Sequence, residues 1–245
     1  MLATYPDLAG RTALVTGASS GIGHGLALAL MAQGVRVAAQ HRSHMAPEGA
    51  VPVRADFATE AGCVAAARQA REALGEVRML VHSAGIYNAA PIASVSAAAL
   101  EEMFRVNIFS AFYLVRELLP HGLRNVVFIG STAGQRGEPG HSHYAASKGA
   151  LQSLMMSIAV ELAPQVRVNL VSPGWVRTPM AEESLARIGP ALIPTLPNRR
   201  VAEIADVVNA VLFLLSDASS HLIGQDLGVS GGALLVVPRG QVKPA

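Results

Sequence analysis

The sequence predicts an α/β fold, a doubly wound parallel sheet in a single domain. Short apolar runs alternate along the chain with longer segments of helical periodicity, the pattern of strand–helix–strand units. Apolar residues make up 51% of the 245 residues and aromatic residues only 4%, so Ala, Val, Leu and Ile supply the core that such a sheet needs. No Pro/Gly/Ser-rich linker or internal repeat divides residues 1–245.

The strands and helices follow one another in the order expected for this fold. Strand patterns cover residues 12–16, 35–39, 51–55, 79–82, 126–130, 166–171 and 226–229, and helical patterns cover 22–32, 59–74, 97–119, 144–162 and 202–215. Residues 42–50, between the second and third strands, are too few for a helical crossover, which needs about a dozen residues. We therefore expect the crossover helix there to be missing or very short.

The segment after Pro179 is less regular. Gly189, Pro190, Pro194 and Pro197 should interrupt any helix between residues 180 and 198. A mobile loop that covers a substrate and a plain surface excursion both fit this composition.

Charge and cysteine content argue against several kinds of partner. The formal net charge is +2, and no run of Lys and Arg is long enough for a nucleic-acid patch or a polybasic anchor. No apolar stretch reaches the length of about 18 residues that spans a membrane, and residues 1–10 lack the apolar run of a signal peptide. The single cysteine, Cys63, allows no internal disulfide. We expect a cytoplasmic protein that binds neither nucleic acid nor membrane.

A glycine-rich turn follows the first strand and opens the first helix. Gly17, Gly21 and Gly23 are spaced Gly-x3-Gly-x-Gly. A pyrophosphate needs close backbone approach, free N–H groups and the positive end of a helix dipole, all of which such a turn supplies. Taken alone, the turn is equally compatible with ordinary turn chemistry. Its first position in a strand–helix–strand unit favours a Rossmann-like dinucleotide site.

Four polar residues form a candidate catalytic set. Tyr144 and Lys148 stand four residues apart at the start of a helical pattern, so their side chains lie on one face. A ketone reductase needs an acid for the developing alkoxide, and a nearby cation should lower the tyrosine pKa from its usual value near 10. Ser131 follows the strand at 126–130, at the sheet edge where ligands bind. Asn107 is polar within an otherwise apolar helical stretch and needs a partner.

Each of these features also has an ordinary structural explanation. A Tyr–Lys pair can decorate a surface, a Ser after a strand can serve the turn, and a helical Asn can bind a neighbouring backbone group. His141 and His143 indicate a metal site only weakly, because no further ligands stand at suitable spacing, and we predict no metal. The joint order of the four residues after a glycine turn favours catalysis.

The sequence resembles the short-chain dehydrogenase/reductase family over nearly its whole length, and is most similar to its 3-oxoacyl reductase-like members. The matching motifs are the turn at 16–23, Ala84-Gly85 after the fourth strand, the four polar residues, the segment 173–178 and the segment 224–232. Two motifs depart from the family pattern. The usual Asn-Asn-Ala-Gly is His82-Ser83-Ala84-Gly85, so bracing of the sheet by the Asn pair is in doubt, and the usual Asp before the closing Gly-Gly is Ser230.

The resemblance implies a role for each matching residue. Tyr144 is expected to be the proton donor or acceptor, and Ser131 to hold the substrate oxygen. Lys148 is expected to bind the nicotinamide ribose and lower the Tyr144 pKa, and Asn107 to hold a water of a proton relay. Asp56 is expected at the adenine, and Val176 and Thr178 at the nicotinamide carboxamide. The full set of expected cofactor residues is Gly17, Ser19, Ser20, Gly21, Ile22, Gly23, His41, Arg42, Asp56, Phe57, Ser83, Ala84, Gly85, Tyr144, Lys148, Pro173, Gly174, Val176 and Thr178.

The end of the second strand favours NADP(H) over NAD(H), although NAD(H) stays possible. NAD-binding relatives usually carry at the position of His41 an Asp that would repel a 2′-phosphate, and no acid lies between Val35 and Pro47 here. Arg42 offers a guanidinium suited to phosphate, and His41 and Ser43 could add hydrogen bonds. The alternative is that Arg42 points to solvent.

These patterns predict an oxidoreductase that interconverts a ketone, 3-oxoacyl-like or another carbonyl, and a secondary alcohol. The substrate would be a small molecule or an acyl-carrier-bound group. A dehydrogenase of a cyclic dihydrodiol is the alternative, because the short second crossover resembles such family members. A non-catalytic, nucleotide-binding regulatory relative is a minor alternative, which the complete catalytic set opposes.

The family resemblance also implies a homotetramer. The helical patterns at 97–119 and 144–162 carry apolar residues on more faces than one sheet can cover. Examples are Phe112, Leu118, Leu151, Leu154 and Met155. A two-fold interface between copies would bury them, and the segment 224–235 could form a second interface.

Overall fold

Seven parallel strands form one sheet in the computed structural model, which describes residues 1–235. The strands are β1 (Thr12–Val15), β2 (Arg36–His41), β3 (Val51–Arg54), β4 (Met79–His82), β5 (Asn125–Ile129), β6 (Arg167–Pro173) and β7 (Asp226–Val229). Their spatial order is β3-β2-β1-β4-β5-β6-β7, so the order reverses between β1 and β4. Ligands of doubly wound sheets bind at this reversal. The predicted fold class is confirmed.

Helices cover both faces of the sheet and divide the core into two halves. They are α1 (Gly21–Ala32), α2 (Glu60–Leu74), α3 (Ala97–Phe104), α4 (Ser110–Leu118), α5 (Thr132–Arg136), α6 (Ser142–Leu162), α7 (Glu182–Leu192) and α8 (Ile204–Leu215). One half of the core lies between the sheet and α2, α4 and α6. The other half lies under α1 and α8. In the described part of the chain, no helix is long and apolar enough to cross a membrane.

The connection between β2 and β3 has no helix, as the length of the segment 42–50 predicts. The two strands nevertheless pair in parallel, with Ala38 opposite Val51 and His41 opposite Arg54. The carboxyl ends of β2 and β3 therefore lie side by side, on the same side of the sheet as the glycine turn that follows β1.

Two helical regions differ from the prediction. The pattern at 97–119 is helical as predicted, but it contains a π-helical turn, Arg105–Phe109, between α3 and α4. The segment after Pro179 does form a helix, α7, which continues through Pro190. The proline removes one backbone bond, to the carbonyl of Ala186. Both residues are exposed, so water can replace that bond.

Most of the apolar residues that we expected at an interface are already covered. Leu118, Leu151, Leu154 and Met155 are all less than 8% exposed, because they pack between α4, α6 and the sheet. Phe112 differs, since it is 51% exposed. Association through α4 and α6 would therefore involve Phe112 and other exposed residues of these helices.

Candidate active site

The glycine turn leaves no room for side chains at two of its positions. A Cβ atom on Gly17, whose φ is +63°, would lie 2.9 Å from the Cα atom of Ala84. A Cβ atom on Gly23 would lie 2.3 Å from the carbonyl oxygen of Gly17. The absence of a side chain at Gly23 thus lets α1 pack directly on the turn. The turn, the first turn of α1 and the end of β4 form one close-packed unit.

Two side chains that our site prediction left out hold this unit together. The Oε1 atom of Gln40 accepts a hydrogen bond from the Gly17 amide at 2.9 Å, and its Nε2 atom donates to the Ala55 carbonyl at 2.8 Å. The hydroxyl oxygen of Thr16 accepts from the amides of Ser83 and Ala84, both at 2.9 Å. Thr16 therefore links the end of β1 to the end of β4, where replacement of the usual Asn pair by His82 and Ser83 left the bracing of the sheet in doubt. The available signal was a lone amide, Gln40, at the end of a buried apolar strand.

The N-terminus of α1 offers unbonded amides to a ligand. Ser20 is the N-cap residue, and its side chain makes no capping hydrogen bond within the part of the chain that the structure describes. The first N–H groups of a helix have no partner within the helix, and the helix dipole makes this end positive. Ser19, Ser20, Gly21 and Ile22 line the adjoining cavity. This arrangement fits a pyrophosphate.

One cavity of about 360 Å³ runs from the end of β2 across the turn to α6. It is lined by every residue that we predicted for the cofactor, from Gly17 to Thr178, and by Ser131. Asn107 alone among the predicted site residues does not line it. His41 ends β2 in this cavity, and its buried Nδ1 atom has no hydrogen-bond partner within residues 1–235. The glycine turn, the open helix end and this nitrogen together fit a dinucleotide.

Ser131, Tyr144 and Lys148 meet at the other end of the cavity. Ser131 follows β5 and caps α5, where its hydroxyl oxygen accepts from the Ala133 amide at 3.1 Å. Tyr144 and Lys148 share one face of the first turns of α6. The ammonium nitrogen of Lys148 lies 5.8 Å from the centre of the Tyr144 ring and donates to the Ile129 carbonyl at 2.8 Å. The structure therefore brings together three of the four predicted catalytic side chains.

Burial shifts the pKa values of both α6 residues away from the charged forms. It lowers the pKa of Lys148 to about 8. It raises the pKa of Tyr144, with a smaller contribution from the negative charge of Glu138, while hydrogen bonding by the Ser131 hydroxyl opposes the shift. The expected lowering of the Tyr144 pKa by Lys148 is thus wrong for the protein's own groups. The reason is that the loss of hydration on burial raises the Tyr144 pKa more than the Lys148 ammonium lowers it. That ammonium lies 5.8 Å from the ring centre and already donates a hydrogen bond to the Ile129 carbonyl.

Asn107 is fully buried behind the cavity wall. Its Oδ1 atom accepts from the Ile86 amide at 2.8 Å, and its Nδ2 atom donates to the Ile86 carbonyl at 3.2 Å and to the Ser147 hydroxyl at 3.0 Å. A Cβ atom on Gly85 would stand 3.3 Å from this Oδ1 atom and 3.5 Å from the Lys148 ammonium. Gly85 therefore keeps open the space between Asn107 and Lys148.

An aromatic and charged wall faces Tyr144. Tyr87 stacks on His141 with ring centres 4.3 Å apart and meets the Tyr144 ring edge-on at 4.8 Å. Arg136 and Glu138 line the same cavity and form an ion pair at 3.9 Å. Burial, then the Glu138 charge, raises the pKa of Tyr87 to about 12. Our site prediction omitted Tyr87, although an aromatic residue two positions after Gly85 was a usable signal.

Within residues 1–235, no group of three or more His, Cys, Asp or Glu side chains could hold a metal ion. His143 is buried in α6, and neither of its ring nitrogens has a hydrogen-bond partner in that part of the chain.

Comparison with known proteins decides the family. A family model described as enoyl-(acyl carrier protein) reductase, of the short-chain alcohol dehydrogenase type, matches residues 17–233. The chain belongs to the short-chain dehydrogenase/reductase family. As a member of this family it is an NAD(P)-dependent oxidoreductase acting on carbonyl and alcohol groups.

Short-chain dehydrogenase/reductase relatives match the chain almost end to end. The L-xylulose reductase of Bos taurus is 38% identical over 240 residues, which cover 93% of this chain and 98% of that protein. The 3-oxoacyl-[acyl-carrier-protein] reductase MabA of Mycobacterium tuberculosis is 33% identical over 232 residues, covering 93% and 94%. A solved putative NAD(P)-dependent gluconate 5-dehydrogenase from Beutenbergia cavernae, with bound NADP, has a TM-score of 0.85 and 34% identity and covers 94% of this chain and 98% of that one.

Proposed function

We propose that this enzyme uses NADP(H) to interconvert a small polyhydroxy ketone and the corresponding secondary alcohol. The observation that carries the proposal is the single cavity in which Ser131, Tyr144 and Lys148 face the glycine turn. The relatives support a carbonyl substrate of this kind, since the first of them reduces a ketose.

The chain's own residues supply the proton chemistry. A bound nicotinamide supplies or accepts the hydride. The Tyr144 hydroxyl donates its proton to the developing alkoxide, and the Ser131 hydroxyl donates a hydrogen bond to the same oxygen. The Lys148 ammonium, held by the Ile129 carbonyl, keeps a positive charge near the tyrosinate that remains. The raised pKa of Tyr144 keeps the phenol protonated, which suits the reductive direction.

Glu138 supports a neutral, hydroxylated substrate. Its side chain is 22% exposed, and within residues 1–235 its only ionic partner is Arg136, at 3.9 Å. A carboxylate accepts hydrogen bonds from two hydroxyl groups at once, as a vicinal diol provides. It also disfavours an anionic substrate, although Arg136 reduces that effect. A neutral ketose therefore suits this wall better than a keto acid.

The second candidate is a 3-oxoacyl thioester, which the similarity to MabA favours. Steady-state kcat/KM for L-xylulose, 5-keto-gluconate and an acetoacetyl thioester separates the possibilities. We expect the neutral ketose to be preferred, and Glu138→Gln to lower its kcat/KM about 10-fold while the value for the keto acid rises. Preference for the thioester would replace the proposed substrate class. Failure of all three carbonyls would overturn the proposed reaction.

The preference for NADP(H) is supported by the end of β2. His41 and Ser43 line the cavity there, and Arg42 is exposed beside them, outside all ion pairs found among residues 1–235. A charge-assisted contact to a 2′-phosphate is worth about 1.5–3 kcal/mol, or about 10- to 100-fold in affinity. We expect kcat/KM to favour NADPH by that factor, and His41→Asp/Arg42→Ala to reverse the preference. A wild type that favours NADH would contradict this.

We propose a homotetramer in which α4 and α6 pair with a second copy. Phe109 and Phe112, near the start of α4, are 42% and 51% exposed, and Met156 and Val160 on α6 are 49% and 81% exposed. Each pair is spaced to lie on one helix face. Phe112→Glu should lower the mass measured by light scattering. A monomeric wild type at micromolar concentration would refute the assembly.

A further inference from the structure

His82 is a buried residue that the proposed chemistry does not use. It ends β4, is 0% exposed, and stands where family members usually carry an Asn. Its Nε2 atom lies 2.7 Å from the Ser110 hydroxyl oxygen, at the start of α4. The Phe128 ring meets the imidazole edge-on, with ring centres 6.1 Å apart. The imidazole is therefore fixed in place on two sides.

The geometry assigns the proton in this contact. The Ser110 hydroxyl also lies 2.6 Å from the Val106 carbonyl oxygen, which can only accept. The single hydroxyl proton of Ser110 therefore goes to Val106. It follows that His82 carries its proton on Nε2 and donates to Ser110. Burial, helped by the positive charge of Lys148, lowers the pKa of His82 to about 3, so this neutral form persists at ordinary pH.

Ser110 replaces a backbone bond that the π-helical turn gives up. Its amide donates to the Arg105 carbonyl, five residues back, instead of to Val106, four residues back, as in an α-helix. The hydroxyl of the same residue then satisfies Val106. His82 and Ser110 thus form a chain of hydrogen bonds that ends on the π-helical turn.

This turn sets the direction of Asn107. Each residue of an α-helix rotates its side chain by about 100° around the axis. A π-helical turn holds one residue more than an α-helical turn. If the turn became α-helical, either Asn107 would point away from Ile86, or the buried residues of α4, such as Leu114, would point away from the core. Retaining both contacts requires the π-helical turn.

We propose that His82 is a positioning residue, which through Ser110 holds the π-helical turn and so keeps Asn107 against Ile86 and beside Lys148. The catalytic consequence rests on the proposed function, whereas the effect on the turn does not. The family's usual Asn would place its amide nitrogen near the position of Nδ1, too short to serve Ser110 in the same way.

The test compares substitutions of His82 that can and cannot place a hydrogen-bond donor next to the Ser110 hydroxyl. A glutamine amide nitrogen occupies about the position of the histidine Nε2 atom, whereas leucine fills the space without a donor. We expect His82→Leu and Ser110→Ala each to speed hydrogen exchange of the 105–111 amides about 10-fold, the effect of one lost hydrogen bond. The double variant should not exceed the larger single effect by much. His82→Gln should restore slow exchange.

The kinetic readout separates positioning from simple stability. In His82→Leu and Ser110→Ala, kcat should fall about 10-fold while the KM for NADPH stays constant, and His82→Gln should recover most of the loss. Ser94→Ala is the control, because its exposed hydroxyl also donates to a backbone carbonyl, that of Pro91, and Ser94 does not line the cavity. It should change neither exchange at 105–111 nor kcat.

Three results would overturn the proposal. They are unchanged exchange at 105–111 in Ser110→Ala, equal behaviour of His82→Gln and His82→Leu, and altered thermal stability with wild-type kcat. If the wild type reduces no carbonyl compound, the proposed function fails, but the exchange experiment still decides the role of His82 in the turn.

Discussion

Replacing Lys148 with methionine should make the protein more stable while removing its activity. Lys148 is only 6% exposed, and burial lowers its pKa from 10.5 to about 8. At about 1.4 kcal/mol per pH unit, holding the charged ammonium in the folded protein at pH 7 costs about 3 kcal/mol. Methionine has a similar length and carries no charge. The stabilisation gained by removing the charge is reduced by about 1 kcal/mol, because the hydrogen bond to the Ile129 carbonyl is lost.

Lys148→Met should therefore raise the free energy of unfolding by about 1–2 kcal/mol at pH 7. The pKa is lower in the folded state, so between pH 8 and 10.5 the unfolded chain binds more protons. Wild-type stability therefore rises with pH across this window. The advantage of Lys148→Met should accordingly shrink by about 2 kcal/mol between pH 7 and pH 9.5.

Urea unfolding followed by circular dichroism, at one protein concentration and at both pH values, measures this difference. Arg68→Met is a matched control, because Arg68 is 63% exposed and should change stability little. A Lys148→Met variant that is less stable than wild type at pH 7, or whose advantage does not depend on pH, would refute the reasoning.

Further predictions concern the turn, the substrate wall and β4. Gly17→Ala should destabilise the protein by about 2–4 kcal/mol in urea and abolish NADPH binding measured by fluorescence, because its Cβ atom meets Ala84. Gly75→Ala should cost only about 1 kcal/mol, because Gly75 also has a positive φ but no atom of residues 1–235 lies within 4 Å of its added Cβ atom. Burial raises the Tyr144 pKa and the Glu138 charge adds to this shift, so Glu138→Gln should move the alkaline limb of the kcat–pH profile for ketone reduction to lower pH. An unmoved limb would contradict that contribution of Glu138. Folding lowers the pKa of His82 from 6.5 to about 3, so between these pH values the unfolded chain binds more protons than the folded protein. The free energy of unfolding should therefore fall as the pH drops. Measured from pH 7 to 4, its dependence on pH should be flatter for His82→Gln than for the wild type.

The glycine turn and the succession of strands and helices along the chain were predictable because their signals are local. Gly17, Gly21 and Gly23 stand within seven residues, and the backbone there must approach Ala84 closely whatever the rest of the fold does. The missing crossover helix followed from the length of the segment 42–50 alone. Every predicted cofactor residue lines the cavity because the carboxyl ends of parallel strands meet at one edge of the sheet.

The features that sequence reasoning missed depend on contacts between distant segments. The π-helical turn exists because Asn107 binds Ile86, 21 residues away, and Ser110 binds His82, 28 residues away. The direction of the Tyr144 pKa depends on how deeply the phenol is buried, which the spacing to Lys148 does not reveal. Gln40 was missed because its side chain binds Gly17 and Ala55, which stand 23 and 15 residues away in the sequence.

The central claim is that the Tyr144 hydroxyl supplies the proton in carbonyl reduction. The most direct test compares kcat for NADPH-dependent reduction of L-xylulose in wild type and Tyr144→Phe, together with the NADPH dissociation constant from fluorescence. Phenylalanine keeps the ring that contacts Tyr87 and removes only the hydroxyl. We predict a fall in kcat of about 100- to 10,000-fold with an almost unchanged dissociation constant. A folded variant that binds NADPH and keeps most of its turnover would contradict the claim.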